Sequence, residues 1–354
     1  MGNSSNNAKG TILVTGANGS LGSALVSRLL SRPEAAAYHG IYTARNTDAA
    51  PALKSALQTG KFAGSHSHDV ISLELTNLDA IRTAAATINK RVAAGEIPPI
   101  RALVLNAGYL EFLKQTWTED GFDTTFASNY LGHWLLAILL LQSMDPQAGR
   151  IVVIGSESHD PYNSKSKAAF NEERWMTFLD DHSCDAIARG TWSTNKEDPS
   201  FHSGFRRYGA SKFCQAMMIP ELQRRLDADP KLSRICVLGI DPGSIATDIT
   251  RRGPWLIRVL IFGIIVPLIA RLAVWLNPNG PIRTIDRGTA DILAAALGFD
   301  QPVGESPKAM YFYGSRVEEM TAEAKDEKKR RLLWKDTLCY TGLKKGEIIL
   351  ANWE

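Results

Sequence analysis

The sequence predicts an α/β protein built on one doubly wound parallel sheet of about seven strands, with helices on both faces. Three observations predict it. Short runs rich in Val and Ile alternate with longer stretches of helical periodicity. Those runs are apolar at successive positions, as strands covered on both faces are. The first run ends in a glycine-rich turn that opens directly into a helix.

The expected strands are 11–15, 39–44, 69–75, 101–106, 150–155, 234–240 and 309–313. Helical patterns occupy 20–31, 77–94, 119–143, 205–228 and 284–297. Two stretches break the alternation: the polar, mixed 157–204 and the apolar 249–283. Both follow a strand and should leave from its carboxyl end, where open α/β sheets bind ligands. They are therefore expected to wall a substrate pocket, the first as an insertion and the second as an apolar lid. The chain divides into a flexible N-terminus (1–9), one large domain (10–317) and a charged helical tail (318–354).

Composition narrows the function. The chain has 354 residues, 44% hydrophobic and 22% charged, enough to bury a full core. A formal net charge of +3 is too small to argue for nucleic acid, and Lys328–Arg331 reads as a solvated helix face. Cys184, Cys214, Cys236 and Cys339 show neither metal spacing nor a disulfide framework. His66, His68 and Asp69 cluster without a fourth ligand, so no metal is expected. His159 lies near Ser156, but a Ser–His hydrolase also needs an acid and a nucleophile elbow, and neither is found. The opening "MGNSSNNAKG" has no apolar signal segment, and Asn6 stands where a myristoylation pattern wants Ser or Thr. A cytoplasmic protein is expected. Residues 254–276 qualify that expectation. Their charge-free apolar core, Val259 to Ala270, is short for a span, is interrupted by Pro267 and is flanked by Arg258 and Arg271. A buried lid is the first reading, and shallow contact with an intracellular membrane is the second.

The glycine-rich turn, "TGANGSLG" (Thr15 to Gly22), carries the first chemical argument. Gly16, Gly19 and Gly22 let the backbone turn tightly and approach a pyrophosphate, while the following helix offers free N–H groups and a partial positive charge. At the end of the second strand an acid would hold the ribose of NAD, whereas Arg45 stands there and favours the 2′-phosphate of NADP. Glu74, read as ending the third strand, is placed to meet an adenine amine.

"YGASK" puts Tyr208 and Lys212 on one helix face. A phenol near pKa 10 is a poor acid–base catalyst at neutral pH, and an adjacent ammonium lowers that pKa. The pair suits proton exchange with a carbonyl and an alcohol. Tyr340 and Lys344 repeat the spacing but follow a charged helix and enclose Gly342, so that match is read as chance.

With these pieces in order, residues 10 to 315 resemble the short-chain dehydrogenase/reductase family, with its Rossmann-type sheet. The motifs are the glycine loop, "LNAG" (Leu105–Gly108), "SNYLGHWLL", "RIVVIGSES", "YGASK" and "DPGSIATDI". The resemblance implies that Tyr208 exchanges the substrate proton and Lys212 holds the nicotinamide ribose. It also implies that Ser156 polarises the carbonyl and that Asn129 holds a water linking Lys212 to solvent. It places the cofactor against Gly16, Asn18, Gly19, Ser20, Leu21 and Gly22, then Arg45, Glu74 and Leu75. Asn106, Ala107 and Gly108 follow, with Tyr208, Lys212, Pro242, Gly243, Ile245 and Thr247. Retinol-dehydrogenase-like and fungal ketoreductase members are the nearest resemblance. The usual dimer face of the family falls on 119–143 and 205–228, and a homodimer is one open state.

Two departures widen the reading. The glycine spacing is that of the branch containing epimerases and dehydratases. Ser156 and Tyr208 are also separated by about forty residues more than is usual, which loop-closure cost tolerates. The leading expectation is an NADP(H)-dependent reductase or dehydrogenase for a bulky apolar substrate of polyketide, terpenoid, sterol or retinoid type. Trp192, Phe201, Phe205 and 254–276 are expected to line its site. A redox-neutral rearrangement and an NADP-binding scaffold without turnover stay open.

Overall fold

The computed structural model describes residues 8–277, 279–298, 303–304 and 306–354, without the side chains of 256–258 and 262. The expected flexible N-terminus lies outside the described residues as far as residue 7. Strand β1 (Gly10–Val14) is buried along its whole length and pairs in parallel with β2 (Tyr38–Ala44) on one side. On its other side lies β4 (Ile100–Leu105), also parallel. Beyond β2 lies β3 (His68–Ser72). Beyond β4 follow β5 (Arg150–Ile154), β6 (Cys236–Asp241) and β7 (Tyr311–Tyr313). An eighth strand, β8 (Arg316–Val317), turns back antiparallel on β7, giving the order β3-β2-β1-β4-β5-β6-β7-β8. Two residues carry no periodicity, so β8 had no signal in the sequence. The chain winds outward from β1 to β3, then crosses back to β4. That reversal opens a crevice at the carboxyl ends of β1 and β4.

Helices α1 (Ser20–Leu30), α2 (Pro51–Thr59) and α7 (Ile285–Leu297) close one apolar layer with Val14, Val104 and Ile240. Helices α3 (Leu78–Ala93), α4 (Thr124–Ser143), α5 (Phe201–Asp227) and α8 (Glu327–Thr341) close the other with Leu13, Leu103 and Val153. Helix α2 was not expected. Its nine residues bury only Leu53 and Ala56, too little for a periodic signal.

Three boundaries shift for local reasons. The strand expected at 69–75 ends at Ser72, opposite Ala44, so Leu73–Leu75 leave the sheet. As the edge strand, β3 is only half covered. Helix α4 begins at Thr124, because the Asp123 carboxylate accepts from the N–H groups of Thr125 (2.8 Å) and Phe126 (3.3 Å). A π-turn, Ala127–Leu131, interrupts α4 at Asn129. Helix α5 begins at Phe201, capped by the Ser200 hydroxyl, which accepts from His202 N at 3.2 Å.

The tail is more than a solvated helix. Leu333, Trp334, Thr337 and Thr341 of α8 form a buried stripe. Trp334 meets Trp134 of α4 edge-on, with ring centroids 4.9 Å apart, and its indole N–H donates to Trp353 O at 2.6 Å.

The stretch 157–204 builds its own small core. Trp192 packs against Trp175 (5.1 Å) and Phe178 (5.2 Å), and Phe178 stacks on Phe213 of α5 (4.6 Å). Buried Arg206 and Arg207 of α5 donate to Ala169 O (2.9 Å) and Ser193 O (2.8 Å). This corrects the expectation for Trp192, which fills the insertion's interior and does not line the cavity.

The apolar stretch 249–283 also departs from its expected role. Residues 249–252 and Ile261 reach the cavity. The π-helical Leu256–Ile265 then runs into α6 (Val266–Leu276), most of whose side chains face outward. The expected lid is therefore a rim, with an exposed helix attached to it.

Candidate active site

A cavity of about 1320 Å³ follows the carboxyl ends of β1, β4, β5 and β6. Every expected catalytic and cofactor residue except Asn129 lines it.

At one end lies the glycine turn. Gly16 has φ +63°, and a Cβ there would sit 2.9 Å from Ala107. A Cβ on Gly22 would meet Gly16 O at 2.4 Å, so helix α1 approaches this turn only without a side chain. No side chain among the described residues caps α1, which leaves its first N–H groups to the cavity. Asn18 faces the cavity but also accepts from Leu53 N (3.2 Å), tying the turn to α2. The Ser20 hydroxyl donates to Asp248 at 2.5 Å, bridging the turn to the segment after β6. Arg45 lines the wall at the end of β2, with Arg251 close enough for the two guanidiniums to repel. Glu74 corrects its expected position: it lies beyond β3 and accepts from Thr76 N and Oγ1 (3.1 and 2.9 Å). Asn106 donates to Thr15 O at 2.8 Å, while its Oδ1 is buried without a partner among the described residues.

At the other end Ser156, Tyr208 and Lys212 converge. The Ser156 hydroxyl faces the Tyr208 phenol closely enough to lower its pKa, and Ser156 Oγ accepts from Ser158 N (3.3 Å) and Oγ (3.0 Å). The Lys212 ammonium donates to Ile154 O and to Gln215 Oε1, each at 2.8 Å, and lies 5.6 Å from the centre of the Tyr208 ring. Burial pulls Lys212 down to about 8, against the attraction of Asp241. Burial also raises the Tyr208 phenol, opposed by the neighbouring Ser156 hydroxyl. The expected lowering of Tyr208 by Lys212 is thus corrected. The ammonium is turned to Ile154 O and Gln215, and desolvation dominates.

Asn129 sits behind the wall. Its Oδ1 accepts from Tyr109 N (2.7 Å), and its Nδ2 donates to Tyr109 O and Ser211 Oγ (both 2.9 Å). The side chain pins the loop after β4 to the turn of α5 that carries Lys212.

Two clusters near the site escaped the sequence reading. His133 is fully buried, and desolvation pulls it down to about 3, so it is neutral. Its Nδ1–H donates to Asn129 O (2.8 Å), which leaves Nε2 to accept from the Thr15 hydroxyl (2.9 Å). Thr15 Oγ1 in turn accepts from Asn106 N and Ala107 N (2.9 and 3.0 Å). The second cluster is carboxylate-rich. Asp241 accepts from Gly243 N at 2.7 Å, while its Oδ2 is buried without a partner among the described residues. Glu157 is held by Lys165 at 2.6 and 2.7 Å. Burial raises both carboxyls. His133 and Asp241 lie inside the quoted motifs, but neither had a sequence signal for its partners. Phe201, Phe205, Leu110 and Phe112 form the apolar side of the cavity.

A sheet reversal with an uncapped, glycine-lined helix start, facing a Ser–Tyr–Lys group, defines a dinucleotide-binding oxidoreductase scaffold. The comparisons agree with it. The short chain dehydrogenase family model matches residues 10–168. The short-chain dehydrogenase iccH of Talaromyces variabilis is 43% identical, over 98% of this chain and 100% of its own. Retinol dehydrogenase 14 of Mus musculus is 28% identical, over 92% and 83%. An NADPH-bound carbonyl reductase from chicken fatty liver shares the fold, with a TM-score of 0.55 and 17% identity over 89% of this chain and 100% of its own. The chain belongs to the short-chain dehydrogenase family of oxidoreductases.

Proposed function

We propose that the protein is an NADP(H)-dependent oxidoreductase that interconverts a ketone or aldehyde and an alcohol on a bulky apolar substrate. The observation that carries this reading is one cavity with a phosphate-type cradle at one end and Ser156, Tyr208 and Lys212 at the other. The cavity is larger than a single drug-sized ligand needs, which supports a dinucleotide and a substrate side by side. The absence of a Cβ at Gly16 and Gly22 and the unpartnered Asn106 Oδ1 fit the dinucleotide. Arg45, with Arg251 beside it, offers cations to a 2′-phosphate.

When bound, the nicotinamide supplies or takes the hydride. The chain's own residues handle the rest. Ser156 orients the carbonyl oxygen. Tyr208 gives that oxygen its proton in reduction and takes it back in oxidation. Lys212, fixed by Ile154 O and Gln215, keeps positive charge beside the phenol and restrains the ribose. Asn129 acts through the backbone of Tyr109 and through Ser211 as a positioning residue. Phe201, Phe205, Leu110 and Phe112 favour an apolar substrate body.

The test is cofactor consumption with a panel of bulky ketones. NADPH should be oxidised in preference to NADH, and Arg45→Asp should cut that preference at least about tenfold, the scale of one charge-assisted hydrogen bond. Product formed with no net cofactor consumption would contradict the reading and favour a rearrangement. Cofactor binding without turnover, indifferent to Tyr208→Phe, would favour a scaffold.

A further inference from the structure

The stretch from Val259 to Leu276 has a mean hydropathy of 2.5, yet only 12% of it is buried. Beside Ile265 and Ile269, which are 42% and 40% exposed, the most outward apolar side chains fall on one stripe: Ile264, Leu268, Leu272, Trp275 and Leu276 are 47%, 75%, 57%, 77% and 68% exposed. Their spacing of three or four is that of one helix face. Val266 and Ala270, one turn apart on the other side, hold the helix to the body of the protein. Water is a poor neighbour for so much continuous apolar surface, so something covers it.

Charge says what. From Ile249 to Ile285 the sequence has five arginines and no acidic residue, in a chain whose net charge is +3; two of the five, Arg252 and the buried Arg283, face Glu111 and Asp291 of the body. The remainder of the molecule is therefore net negative. A second copy would bring two such cationic segments together. An anionic lipid surface complements them instead. Exposed Trp255 and Trp275 bracket the helix, as aromatic residues do where acyl chains meet headgroups.

The tethers decide how the helix meets lipid. Ser244 N donates to Pro281 O (2.9 Å), and Arg283 N donates to Ser244 O (3.1 Å), so the segment leaves and rejoins the sheet at one place. Residues 256–276 form a helix about 30 Å long. The five residues from Asn277 to Pro281 reach only about 17 Å when extended. The C-terminal end therefore cannot stand on the far side of a bilayer, the N-terminal end is held at the cavity by Arg251, Arg252 and Ile261, and Arg271 sits on an exposed part of the helix. The helix therefore lies along the surface.

We infer that the face of the helix between Val259 and Leu276 docks the protein flat on an anionic membrane surface and turns the cavity mouth toward the lipid. Ile261, Arg251 and Arg252 belong both to this segment and to the cavity rim. An apolar substrate thus enters from the acyl region without crossing water. That last clause rests on the proposed function; the docking itself does not.

The test is co-sedimentation of the full chain with vesicles of phosphatidylcholine alone or mixed with phosphatidylserine, beside its mass in solution. Binding to the mixed vesicles, weakened by salt and reduced at least about tenfold in a Leu268→Asp/Leu272→Asp variant, is expected. The variant should keep wild-type melting temperature and NADPH affinity, because neither residue touches the cavity. Arg271→Ala should weaken binding to the mixed vesicles only. Protein left in the supernatant with both vesicle types would overturn the inference. So would a wild-type dimer that the double variant converts to monomer, since a second copy would then cover the face. If the protein docks yet no ketone is turned over, the docking stands and the proposed function falls.

Discussion

Two helices among the described residues are long and apolar enough to cross a membrane, and they meet opposite fates. Thr124–Ser143 has a mean hydropathy of 1.2 and is 89% buried, whereas Val259–Leu276 has one of 2.5 and is 12% buried. The more apolar helix is the more exposed. The first is wrapped by α3, α5 and α8, and its Asn129 and His133 side chains are hydrogen-bonded to backbone groups and hydroxyls around the site. The second leaves the sheet after the site is complete and touches the body mainly through Val266 and Ala270. Apolar length states a need for cover. Only the surrounding chain decides whether protein supplies it.

Substitutions can break that comparison or sharpen it. The largest effect is expected from Trp134→Ala in the covered helix, which empties the space between α4 and Trp334. A loss of about 3–5 kcal/mol is expected by denaturant unfolding. An unchanged midpoint would mean that the tail does not share this core.

The next effect concerns the charge buried beside the covered helix. Burial pulls Lys212 down to about 8 from 10.5. Between those values the unfolded chain holds a proton that the folded chain has released, so stability rises with pH across that window. Below about 8 the full penalty applies. The wild type should therefore gain up to about 3 kcal/mol between pH 8 and 10.5 relative to Lys212→Met, in which this slope vanishes. Parallel profiles for the two proteins would contradict the burial assigned to Lys212.

A smaller effect is expected at His133. It stays neutral down to about pH 3, so a kcat/KM profile should show no inflection near pH 6.5 from this residue. His133→Gln, which keeps hydrogen-bonding atoms, should preserve the profile's shape while lowering stability. The smallest effect belongs to the exposed helix. Leu272→Asp should change the unfolding free energy by less than about 0.5 kcal/mol, since the side chain stays mostly exposed on folding. A large loss there would show that the face is buried by protein in solution.

Much of this was legible because the physics is local. Strand β1, its glycine turn and α1 are contiguous, and Gly16 and Gly22 are required by contacts within that unit and with Ala107. Tyr208 and Lys212 share a helix face by spacing alone. What stayed hidden depends on neighbours distant in sequence. Trp192 reads as a pocket residue until Trp175 and Phe178 enclose it. The pull on Lys212 by Gln215 and Ile154, and the orphaned oxygen of Asp241, arise only when β5, β6 and α5 come together. Glu74 was misplaced because β3, as an edge strand, stops before the apolar run does.

The most direct test of the central claim is rapid-mixing measurement of NADPH oxidation by Tyr208→Phe with a ketone that the wild type reduces. Removing one hydroxyl should leave NADPH affinity unchanged and slow the chemical step by about 10²- to 10⁴-fold, the range of a positioned proton donor. Oxidation at the wild-type rate would show that the proton comes from elsewhere and that the Ser156–Tyr208–Lys212 group is not the reacting centre.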